Sequence, residues 1–262
     1  MTENRLTLKR FLTTALSPAG QTLYIYGGGW NPQDTGAGRP ACTIGVPYKW
    51  KKFFQCRTPY YDYRTLRTRD GQNLCRDWGA DCSGYVGWCV YNFMETESGK
   101  KGYVFPAETM ARIYGEVFGW GTFQRRIPDG NVFAPGDIIS IPGHVWICLG
   151  VCQDESVVLL HSTPSESIWN YPGGGVQISA LGENKSCMAY QLADSYMRKY
   201  FPGWSKRYRV VLKPYGQYTD TKKEGTGRFT WRRGPGGLED PEGLYEMTAG
   251  ERLQELFGEN RR

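Results

Sequence analysis

The stretch Gly79-Ala80-Asp81-Cys82-Ser83-Gly84-Tyr85-Val86 constrains this chain more than any other. A polar, glycine-flanked turn gives way there to an apolar, helix-like run, with a cysteine at the junction. A thiol in that position sits on the positive end of a helix dipole, which favours the thiolate and makes a nucleophile. Acyl transfer also needs a base and a group that orients the base. The chain has two histidines, His144 and His161, both downstream and both at ends of strand-like segments.

The hydrophobic spacing around these residues predicts an α+β fold. Tyr85, Cys89 and Phe93 recur at i, i+4, with Val86 and Val90 beside them, so a helix is expected over 82–93. Leu8, Phe11, Leu12, Ala15 and Leu16 share one face ahead of Ser17-Pro18, a second helix with its stop. Further helices are expected over 106–118, 186–200 and 247–257. A β-prone segment, 22–26, runs into Gly27-Gly28-Gly29. Strands over 137–141, 144–151 and 156–161, parted by tight Pro-Gly and Gln-Asp turns, read as an antiparallel meander, and 207–212 as a closing strand. His144 then shares a strand face with Trp146 and Cys148, and His161 ends the neighbouring strand within reach.

With 262 residues, 40% of them hydrophobic and 15% aromatic, the chain can pack one large core. The expected organisation is a catalytic domain over 1–215, an irregular insertion over 31–79 that lines something, and an appendage over 216–262 that docks or stays flexible. Eight cysteines in a large chain without a secretion signal are expected to stay reduced. No apolar run reaches the roughly 18 to 20 residues of a membrane span. The first segment carries Glu3, Arg5, Lys9 and Arg10, an amphipathic pattern unlike a signal peptide. The chain is therefore expected in the cytoplasm unless a holin or dedicated exporter releases it.

The net charge of +6 suits nucleic acid, cell wall or membrane surface equally. The basic, aromatic run 48–69, with Lys49, Lys51, Lys52, Arg57, Arg64, Arg67 and Arg69, could face nucleic acid. A solvated loop whose aromatics cover the domain is preferred, so no nucleic-acid partner is expected. The triple glycine lacks the lysine and helix of a phosphate cradle. No cofactor is expected, and no metal, because both histidines already have roles.

Asp81-Cys82-Ser83-Gly84-Tyr85-Val86 resembles the nucleophile motif of NlpC-type cell-wall cysteine peptidases. Pro135-Gly136-Asp137-Ile138-Ile139 followed by Gly143-His144-Val145-Trp146-Ile147 resembles that family's histidine segment. Leu160-His161-Ser162 falls where the family keeps its third catalytic residue, and Tyr24-Ile25-Tyr26-Gly27-Gly28 resembles its upstream tyrosine–glycine pair. The four segments occur in the family's order across residues 8–165. Two departures stand out: about fifty residues separate the glycine pair from Cys82, and the interval from Cys82 to His144 is stretched. No wall-targeting module is expected within these residues.

The resemblance implies a papain-like fold and hydrolysis of an amide in peptidoglycan stem peptides or muropeptides, typically between D-γ-glutamate and a diamino acid. Cys82 would attack, His144 act as base and His161 orient it. Backbone N–H groups around Cys82 and Ser83, with the Tyr24 hydroxyl, would hold the oxyanion. Asp81 and Ser83 would hold a stem-peptide amine, although Asp81 is equally placed as a helix cap. The alternatives are an amidase or acyltransferase on another substrate, a non-catalytic wall- or partner-binding module, and a nucleic-acid-associated protein.

Overall fold

The computed structural model describes residues 5–66, 75–127 and 133–259. Its central element is the cysteine-bearing helix, built as the spacing predicts. The helices are α1 (Leu8–Leu16), α2 (Tyr48–Cys56), α3 (Cys82–Met94), α4 (Met110–Arg112), α5 (Met188–Tyr200), α6 (Pro202–Ser205), α7 (Tyr215–Tyr218) and α8 (Ala249–Leu256). Asp81 caps α3 by accepting the Gly84 N–H, and all residues from Cys82 to Tyr91 are buried. A helix apolar on every side must be wrapped on every side, and α3 packs between α1 and the sheet. Thr7 caps α1, whose Leu8, Phe11, Leu12, Ala15 and Leu16 face the core as expected.

Seven strands, β1 (Gly121–Gln124), β2 (Ile138–Ile141), β3 (His144–Val151), β4 (Val157–Glu166), β5 (Pro172–Leu181), β6 (Leu212–Lys213) and β7 (Gly227–Trp231), form one sheet in the order β1-β7-β2-β3-β4-β5-β6. Every pairing is antiparallel except β5 with β6, and the sheet curls into a half-barrel. The predicted meander is β2 to β4. Its first turn is Pro142-Gly143, with Gly143 at φ 70°, which pairs Ile141 with His144 and sets His144 as the first residue of β3. Alternation then sends Val145, Ile147 and Leu149 to the core around α3, and Trp146 and Cys148 to a second cluster with Ile139, Leu159 and Tyr218.

Four expectations need correcting. The described part of 216–262 docks, and is more than an appendage: β7 lies inside the sheet between β1 and β2, so the sheet is incomplete without it. Helix α8 is tied in as well, because the buried Arg252 guanidinium donates to the carbonyls of Leu149, Leu244 and Met247. A fourth meander strand, β5, runs through Gly173-Gly174-Gly175, a glycine run that looks like a loop. Glycine is required there because a Cβ on Gly175 would lie 2.0 Å from the Thr22 carbonyl oxygen.

The closing strand at 207–212 shrinks to Leu212–Lys213, since the Arg207 and Tyr208 N–H groups turn back to the Trp204 carbonyl. The helix at 106–118 starts at Met110, after a turn in which Thr109 donates to the Pro106 carbonyl, and widens into a π-helical turn over Ile113–Val117. Within 31–79, α2 buries Trp50, Phe53 and Phe54 against the domain. Of the basic run, Arg67 and Arg69 lie outside the described residues.

Candidate active site

The start of α3 is held from two sides. The segment leading into it pairs with the 22–28 stretch: Ala80 donates to the Leu23 carbonyl at 3.2 Å and Asp81 to that of Gly28 at 3.0 Å. Backbone meets backbone here, and a Cβ on Gly84 would sit 1.9 Å from the Gly28 oxygen. That contact explains why glycines occur both in the 27–29 turn and two residues after the cysteine. From the sheet, the Ser162 hydroxyl of β4 donates to the Ala80 carbonyl at 2.7 Å.

Asp81 and Ser83 are consumed in this scaffold. The Asp81 carboxylate accepts from Gly84 N–H at 2.7 Å, Gly27 N–H at 3.1 Å and the Ser83 hydroxyl at 3.1 Å. Ser83 Oγ in turn accepts from the Trp30 indole at 3.0 Å. Both are buried, so in this state they position the helix start. Burial outweighs the three donors and pushes the Asp81 carboxyl up to about 6.

Cys82 is 6% exposed. The backbone N–H groups of Val145, Ser83 and Cys82 itself each favour the thiolate. The N–H groups of Cys82 and Ser83 are first-turn donors with no place in the helix ladder. Burial nevertheless dominates, with the Asp81 charge adding to it, and the thiol is pushed up to about 12. The thiolate expected from the helix dipole alone is therefore not the resting form: desolvation in a closed site exceeds what a helix terminus supplies.

His144 and His161 meet as the alternation predicts. His144 Nε2 lies 2.9 Å from His161 Nδ1, and His161 Nε2 lies 2.9 Å from Ser179 Oγ of β5. Among the described residues no hydrogen bond joins the Cys82 sulfur to His144; the link between them is the Val145 N–H, one residue along β3. Burial, then the Lys213 charge, lowers His144 to about 3, and His161 falls well below the ordinary histidine value through burial, the His144 ring and Lys213. Both rings rest neutral. If His144 keeps its Nδ1 lone pair towards the sulfur, its Nε2–H donates to His161 Nδ1, and His161 Nε2–H donates to Ser179. That arrangement of protons satisfies the whole row, with the Ser179 hydroxyl accepting at its end.

Two aromatic side chains close the site. Tyr24 is buried beside Cys82 and Asp81, whose charges add to burial in raising its phenol, and it meets Tyr63 edge-on at 5.1 Å. Tyr63 belongs to the insertion, which therefore does reach the site. Tyr218 of α7 lies 5.2 Å from the His144 ring and 5.9 Å from that of His161, with Trp146 Nε1 donating to its carbonyl at 3.1 Å. Sequence reasoning missed Ser179 and Tyr218. Ser179 had a signal, a polar residue alternating with Ile178 and Ala180 in an apolar segment; Tyr218 had none.

Among the described residues no group of three or more side chains is arranged to hold a metal ion, and no helix is long and apolar enough to cross a membrane. Comparison of the chain with family models, with curated proteins and with solved structures finds no match in any of the three.

Proposed function

We propose that the protein is a papain-like cysteine peptidase that cleaves an amide in peptidoglycan stem peptides, with the bond from D-γ-glutamate to a diamino acid as the expected target. The reading rests on the four-segment resemblance to NlpC-type peptidases. The observation that carries it is the row His144–His161–Ser179 ending one residue from the backbone donor to Cys82 at a capped helix start.

In the first step Cys82 Sγ bonds to the carbonyl carbon while its proton passes to His144 Nδ1. The oxyanion is met by the N–H groups of Cys82 and Ser83, and removing one such donor typically slows an enzyme about a hundredfold or more. The C–N bond then breaks as His144 returns the proton to the departing amine, leaving a thioester. Water attacks the thioester, giving its proton to His144 Nδ1, and the carboxylic acid leaves as the thiol re-forms. Because thiol and imidazole both rest neutral, proton transfer accompanies attack rather than preceding it. Throughout, His161 holds the His144 Nε2–H and keeps the ring edge turned to the sulfur.

Incubation with muropeptides of defined stem chemistry, read by product mass, tests the reading. The expected result is a pair of fragments split after D-glutamate, absent with Cys82→Ala. Intact muropeptides with wild-type protein, or equal cleavage by the variant, would overturn it.

A further inference from the structure

Beside the catalytic row runs a groove of about 420 Å³, lined by Tyr63, by the β4–β5 hairpin around Ser165, and by Lys185, Arg209 and Lys213. Among the described residues none of these three cations forms an ion pair. One carboxylate, Glu166, also lines the groove, so the balance of charge there is positive. Two of its lining residues touch side chains of the site. Tyr63 meets Tyr24 edge-on beside the sulfur, and the Lys213 ammonium lies 5.8 Å from the Tyr218 ring that covers both imidazoles. Lys213 is half-buried and fixed by the pairing of β6 with Leu181 of β5. Lys185 and Arg209 are exposed and Lys213 is half-buried, so the groove presents an excess of positive charge to an anionic ligand.

We propose that this groove is a subsite for a free carboxylate of the substrate peptide, with Lys213 and Arg209 as its principal donors and Lys185 at its outer rim. The inference rests on the peptidase reading and adds a specificity to it: the enzyme selects stem peptides whose carboxyl groups are free over those in which they are amidated. An ammonium and a guanidinium recognise a carboxylate by charge-assisted hydrogen bonds, and a carboxamide of the same shape forgoes the charge. A bound carboxylate also offsets the Lys213 charge, which adds to burial in holding both imidazoles towards their neutral forms.

The test compares a muropeptide bearing free stem carboxylates with its amidated counterpart. Wild-type kcat/KM should favour the free acid by about tenfold or more, chiefly through KM, the ratio expected of one charge-assisted contact. In Arg209→Gln/Lys213→Met that preference should vanish; Lys185→Gln, on an exposed turn, should reduce it by about threefold without touching the core. Equal kcat/KM for the two substrates in wild type, or an unchanged preference in the variants, would overturn the inference. If neither substrate is cleaved, the peptidase reading fails, and calorimetric binding of the same two probes then decides the groove. Tighter binding of the free acid upholds it, and equal or absent binding overturns it.

Discussion

Ser179→Ala removes a single hydroxyl at the far end of the catalytic row, two residues away from any contact with substrate. His161 is fully buried, so its Nε2–H loses its one partner and gains no water. An unsatisfied buried donor costs about 1–3 kcal/mol. The ring can escape that cost by moving its proton to Nδ1, but Nδ1 then donates to His144 Nε2 and forces the His144 proton onto the nitrogen that must accept from Cys82. The unproductive arrangement leaves a bare Nε2 lone pair instead, a smaller cost than a bare donor, so up to about 1–3 kcal/mol separates the productive and unproductive proton arrangements. At about 1.4 kcal/mol per factor of ten, kcat should fall roughly 5- to 100-fold with KM little changed. Steady-state kinetics on a muropeptide reads the first effect. Nitrogen-15 NMR of the imidazoles reads the second, in a chain with two histidines, as a shift of both rings to the other tautomer. Unchanged kcat with both tautomers unchanged would refute the proton row.

Other expectations follow from the same geometry. Asp81→Asn removes the charge that, after burial, holds the Cys82 thiol up, so iodoacetamide should label Cys82 faster at a fixed pH. It also turns an amide NH2 towards the Gly27 N–H, so the melting point should drop. His144 and His161 titrate below their unfolded value of about 6.5, so the native state binds fewer protons, and stability present above that pH is lost as pH falls towards about 3. Asp81 and Asp137, raised to about 6 by burial, act in the opposite sense between about 4 and 6. The clean readout is thus a difference: His161→Gln should lose less stability than wild type between pH 7 and 5 in urea titrations. Truncation after Tyr215 deletes an interior strand, and the remainder should show no cooperative thermal transition. A folded truncated protein would restore the reading of 216–262 as an appendage.

The parts of the fold that one periodicity specifies were legible in the sequence. Helix α3 announced itself through its cap, its glycine and its all-round apolar run, and β3 through alternation that put His144, Trp146 and Cys148 on one face. The Cys82, His144 and His161 positions came from the same local patterns plus the resemblance. What stayed hidden depends on distant partners. Strand β5 is glycine-rich because another backbone crosses it, and β7 enters the sheet from the far end of the chain by pairing with β1 and β2. The role of Ser83 as scaffold, and the burial that keeps the thiol protonated, depend on Trp30 and Val145 arriving from two separate segments. A helix dipole is local and readable; the desolvation that opposes it is not.

The claim on which the account depends is that the Cys82 sulfur, alone among eight thiols, takes up the acyl group of the substrate. Rapid acid quenching of the protein during turnover of a defined muropeptide, followed by digestion and peptide mass mapping, measures this directly. The predicted result is an acyl mass carried by the peptide containing Cys82, absent in Cys82→Ala and strongly diminished in His144→Ala. Turnover that persists in Cys82→Ala, or an acyl mass on any other cysteine, would contradict it.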